Sequence, residues 1–98
     1  MEFKDEIEKL NATIIDCSTH LASLPIEIAG IQSEQDQAVE EHNRALSIND
    51  YSSVAMWQRV MGQHGKRIMD AEKRLKHYAR VKAEFELKKT ELEKAARG

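Results

Sequence analysis

The sequence predicts an all-α fold, an antiparallel two-helix coiled-coil hairpin, on three observations. Apolar residues recur in alternating steps of three and four along both halves of the 98-residue chain. The halves carry opposite charge: residues 1–50 hold three basic and eleven acidic side chains, net −8, and residues 51–98 hold twelve and six, net +6. Between them, Ser47-Ile48-Asn49-Asp50 supplies turn-forming residues. With 33% charged and 5% aromatic residues, the composition leaves too little apolar surface for a thick globular core, while a helix seam needs little.

The first arm, about residues 3–46, runs Phe3, Ile7, Leu10, Ile14, Cys17, Leu21, Leu24, Ile28 and Ile31, then more weakly through Gln35, Ala38, His42 and Ala45. Pro25 interrupts the chemistry of this arm without shifting its phase. The expectation is a kink near Pro25, or a short break with Ser23 capping a new helix. In the turn, about 47–50, Asn49 and Asp50 are the candidate caps for a helix starting at Tyr51 or Ser52. The second arm, about 51–96, runs Val54, Trp57, Met61, His64, Ile68, Ala71, Leu75, Tyr78, Lys82, Phe85, Lys89, Leu92 and Ala96, with the lysines and His64 interrupting the seam.

Antiparallel pairing requires facing residues to keep a constant sum of residue numbers. Ala45 with Val54, Ile31 with Ile68, Leu24 with Leu75 and Ile7 with Leu92 share one sum, so a single register zips the arms. That register sets Gln35 opposite His64, Glu34 near Arg67 and Glu27 near Arg74. Gly30, Gly62 and Gly65 fall around the same level, where the expectation is a thin stretch with closely approaching backbones. Residues 1–98 are read as one helical hairpin domain. Ile15, Ile26, Met69 and Leu87 fall outside the seam, and so many large apolar residues on so narrow a fold imply that two hairpins pair into a four-helix-bundle homodimer.

Catalytic and ligand signatures are missing. There is no glycine-rich phosphate loop, nucleophile elbow, CxxC or HExxH, so no catalytic, cofactor or metal residues are assigned and the chain is read as non-enzymatic. Cys17 and His20 stand at metal-ligand spacing, but the register offers them Lys82 as a neighbour rather than further ligands. The charged N-terminus, the single cysteine and the lack of an apolar run near the roughly 20 residues of a membrane span give the expectation of a cytoplasmic chain with no membrane partner.

The functional expectation is therefore a protein-interaction module: an adaptor, assembly factor or small inhibitor docking on a larger protein machine. Its candidate partner-binding residues are Lys66, Met69, Lys73, Lys76, Arg80 and Leu87, which combine the basic stretch of the second arm with exposed apolar positions. The alternative is a nucleic-acid-binding accessory protein using that basic arm for phosphate contacts. In architecture alone the chain resembles hairpin coiled coils that serve as assembly chaperones or small modulators in bacteria and their phages. It lacks the Trp-x-Gly turn of hairpin secretion-system substrates, since Trp57 is followed by Gln58 and Arg59.

Overall fold

The computed structural model describes residues 2–98, with Glu2 described by its backbone alone, as a hairpin of two helices. Helix α1 spans Glu2–Ser47 and helix α2 spans Tyr51–Arg97. Contacts divide the chain into two compact units, a terminal half formed by Met1–Leu24 with Arg74–Gly98 and a turn half formed by Pro25–Lys73.

Among the described residues seven are buried: Cys17, Leu24, Ile31, Ala38 and Ala45 on α1, and Val54 and Ala71 on α2. Those of α1 recur every seven residues, while the alternate seam positions Ile14, Leu21, Ile28, Gln35 and His42 are half-buried. The helix period of 3.6 brings one residue per two turns to the centre of the seam and leaves the next to form its wall.

Pro25 lies inside α1 without ending it. It cannot donate to the carbonyl four residues back, yet the helix runs on. The expected break with Ser23 as a cap does not occur: the Ser23 hydroxyl donates backwards to the His20 carbonyl at 3.3 Å. Thr13, Ser18 and Thr19 also return their hydroxyls to carbonyls four residues earlier, so these residues are absorbed into the helix instead of competing with it.

The connection is tight because two motifs share one residue. Asn49 takes the left-handed conformation (φ 58°), which asparagine tolerates better than most residues. The Asn49 N–H donates to the Leu46 carbonyl at 3.2 Å and the Asp50 N–H to the Ala45 carbonyl at 2.9 Å, the pattern that closes a helix C-terminus. Asp50 then caps α2. Its carboxylate accepts from the Ser53 N–H at 3.2 Å and from the Ser53 hydroxyl at 2.6 Å.

In the turn half the register is fixed by side chains crossing the seam. Gln35 donates to the Met61 carbonyl at 3.3 Å and pairs with His64 Nδ1 at 2.9 Å, while Arg67 reaches Glu34 at 3.4 Å. Trp57 turns to line an open groove of about 550 Å³ with Ala38, Glu41, Val60 and His64. His42 sets its Nδ1 3.3 Å from the Asn43 side chain. The glycines do not mark a close approach of the two helices. A Cβ built on Gly30, Gly62 or Gly65 would meet nothing within 4 Å. They stand outside the seam, which is set by Gln35, Ala38, Met61 and His64, so nothing within the chain offsets the roughly 1 kcal/mol that each helix-interior glycine costs relative to alanine.

In the terminal half the His20 ring stacks on Tyr78, with centroids 4.2 Å apart and planes 6° from parallel. Lys82 and Lys89 hold seam positions half-buried and reach along α2 to Glu86 and Glu93, at 3.7 and 3.9 Å. A lysine can therefore fill a seam position with its methylene stem and still keep its charge in water.

One expectation on composition is corrected. Helix α1 carries an 18-residue window of mean hydropathy 1.2 with no more than two charged residues, 17% of it buried, and is apolar enough by length and composition to cross a membrane. Between Lys9 and Glu34 only Asp16 and Glu27 are charged, and Ile15 and Ile26 add to the hydropathy of the seam residues.

Leu24, 1% exposed, is the largest fully buried side chain among the described residues. Leu24→Ala is expected to destabilise the chain by about 2–5 kcal/mol in urea unfolding, against less than about 0.5 kcal/mol for Ile26→Ala on the exposed surface. The Ser53 hydroxyl, followed by its N–H, holds the Asp50 carboxyl below its ordinary value of 3.8. A lowered carboxyl pKa stabilises the fold above that ordinary value and loses the contribution as pH falls through the folded value. Asp50→Asn is therefore expected to lower the thermal midpoint at neutral pH, with the difference from wild type shrinking steadily below pH 3.8 in circular dichroism melts.

Candidate protein-docking surface

The six residues expected to bind a partner are all on α2. Lys66, Lys73, Arg80 and Leu87 recur every seven residues, with Met69 and Lys76 one step to the side. In the turn half Lys66, Met69 and Lys73 are exposed on consecutive turns, Met69 with 59% of its surface open. In the terminal half Lys76, Arg80 and Leu87 are exposed, Leu87 at 61%. The physical reason is shared: each lies away from the positions that α2 turns toward α1, so the seam leaves them in water. Arg80 approaches His77 Nδ1 at 3.4 Å, and the edge of His77 meets Tyr78 with centroids 5.4 Å apart, so this basic surface is interleaved with rings.

Ile15 and Ile26 on α1 are open at 65% and 75%. Together with Met69 and Leu87 they are the most exposed of the aliphatic side chains that both arms leave outside the seam, where Val39 and Met56 are also open. Each large aliphatic group forgoes about 1.5–3 kcal/mol of burial while it stays in water.

The polar cluster of the turn half is geometrically complete. Because Gln35 Nε2 donates to the Met61 carbonyl, its Oε1 is the atom facing His64, and the His64 Nδ1–H donates to it at 2.9 Å. His64 Nε2 then lies 3.5 Å from the Glu34 carboxylate that Arg67 also approaches, and the His64 side chain is only 12% exposed. This cluster binds the two helices to each other. No nucleophile and base stand paired in it.

Cys17 is a buried free thiol, and His20 is occupied by Tyr78 and by Asp16, 3.7 Å from its Nε2. Among the described residues no group of three or more His, Cys, Asp or Glu side chains could hold a metal ion. Two features were not legible as sequence patterns: the His20–Tyr78 stack, which joins positions one residue out of the constant-sum register, and the open groove beside Trp57. No protein-family model, curated protein or solved structure matches the chain.

The Gln35–His64 pair yields a double-mutant cycle. Gln35→Leu alone is expected to cost about 1–3 kcal/mol, because His64 loses its acceptor in a half-buried site. Combining it with His64→Leu is expected to recover most of that loss, with a coupling energy of about 1 kcal/mol or more in denaturant titrations.

Proposed function

We propose that this chain is a non-enzymatic protein-interaction module, an adaptor, assembly factor or small inhibitor that docks on a larger protein machine, and that two hairpins pair into a four-helix bundle. The observation that carries the reading is the large aliphatic surface held in water by a fold with no room for it, at Ile15, Ile26, Met69 and Leu87. Lys66 and Lys73 flank Met69 one helical turn away on either side, and Lys76 and Arg80 continue the basic stretch of α2, which suits an acidic partner surface and speeds encounter with it. In this reading the protein works in the cytoplasm and needs no cofactor.

Phosphate binding along α2 is the rival reading. The net charge of −8 carried by residues 1–50 opposes it, since phosphate approaching the basic helix also meets the acidic one.

The test is a pull-down from extract of the native source with the tagged full chain, run with and without nuclease, beside a Lys76→Glu/Arg80→Glu/Leu87→Glu variant. A stoichiometric protein partner that survives nuclease and is lost with the variant is the expected result. Capture that disappears with nuclease would move the function to nucleic acid, and equal capture by the variant would remove these residues from the docking surface.

A further inference from the structure

The two long edges of the turn half differ. One carries Glu34, Glu41, Arg44 and Arg67, with Glu34 paired to Arg67 and Glu41 to Arg44. The face on the other edge is built from Ala29, Val39 and Leu46 of α1 and Tyr51, Ala55 and Met69 of α2, all of them exposed. Within residues 25–73 the positions that turn this way include only two charged residues, Asp36 and Glu72. An open face of two helices with so little charge is unusual in a chain that is 33% charged.

Gly62 and Gly65 stand on the same face, three residues apart and inside α2. Neither needs to be glycine for the chain's own packing, because a Cβ at either would meet nothing within 4 Å. Neither has the positive φ that would call for glycine. Both features are accounted for if another helix approaches this face closely from outside.

We propose that this face is the seam between two copies of the chain, and that the copies pack with their turns at the same end. This inference rests on the pairing proposed above and names its surface and its direction. The charges beside the face select both the occupant and the direction. Asp36 on the face and Glu40 beside it make the α1 side acidic, while Arg59, Lys66 and Lys73 border the face on α2, where Glu72 lies at the end away from the turn. A two-fold axis along the hairpin lays each α1 over the α2 of the partner subunit at the same level. Glu40 then meets Arg59 of the partner subunit, and Asp36 falls between that residue and Lys66 of the partner subunit. The opposite arrangement would lay α1 on α1 and set acidic edge against acidic edge, which like charges disfavour. The face spans about 22 residues of helix, about 33 Å by two helix widths. Its projected area is roughly 650 Å², before side-chain relief, and approaches the roughly 800 Å² per partner of a standard interface.

Sedimentation equilibrium on the full chain at micromolar concentrations tests the proposal. The expected result is a reversible dimer of twice 11.2 kDa. Gly62→Leu/Gly65→Leu should weaken it about tenfold or more while helicity and the melting of the single hairpin hold or rise, because a Cβ at either position meets nothing within 4 Å and leucine favours a helix interior over glycine. Glu40→Arg should also weaken it, and adding Arg59→Glu should restore it. A wild-type mass of 11.2 kDa throughout would overturn the seam and the pairing together, while leaving the docking reading to its own pull-down. A dimer that ignores both the glycine and the charge variants would overturn this seam and leave pairing through another face. A dimer lost with the glycine variant that the charge swap fails to restore would overturn the direction of packing.

Discussion

Everything in this protein depends on one buried side chain per seven residues of α1. Cys17, Leu24, Ile31, Ala38 and Ala45 form that line, and only Leu24 and Ile31 are large. A seam this narrow gains little from any single position, since burying a leucine or isoleucine contributes about 1.5–3 kcal/mol and an alanine far less. Stability must therefore come from length and from unbroken repetition. That explains why Pro25 is tolerated inside α1: ending the helix there would sacrifice every seam position beyond it, a larger loss than one missing hydrogen bond.

A heptad seam slides easily, because a shift of seven residues exchanges one apolar side chain for another, as Ala38 for Ala45 or Leu24 for Ile31. Polar groups remove that freedom. Gln35 bonds simultaneously to the Met61 backbone and to His64, and no neighbouring register offers the same pair of partners. A polar residue inside a coiled-coil seam fixes alignment at some cost in stability. The turn acts in the same direction. Asn49 and Asp50 close α1 and open α2 within two residues, leaving no slack for the helices to slip past each other.

The thin core also decides what the surface looks like. With two helices there is one buried stripe, and apolar residues outside it have no interior to enter. Ile15, Ile26, Met69 and Leu87 are in water for that reason, and the proposed functions all follow from giving them somewhere to go. The division of charge between the helices has two physical consequences. Across the hairpin it adds pairs such as Glu34 with Arg67, which at half exposure contribute modestly. In the proposed pair of hairpins it sets the acidic helix of each against the basic helix of the other.

The sequence by itself determined the two helices, their antiparallel register, the Gln35–His64 and Glu34–Arg67 encounters and the exposed aliphatic residues. These follow from periodicity and from a constant sum of residue numbers, which are properties of the chain alone. It also placed the turn, but which residue does what there required the structure. Asn49 and Asp50 have similar preferences, and only the backbone shows that Asn49 adopts the left-handed conformation while Asp50 caps α2. The sequence likewise made Gly62 and Gly65 look like a place where the helices touch. The open space around them depends on which edge of α2 they occupy and on how far the seam reaches, and both are set by packing. The His20–Tyr78 stack and the groove beside Trp57 belong to the same class, because side-chain rotamers at the margin of a seam are chosen by neighbours on the other helix rather than by spacing along their own.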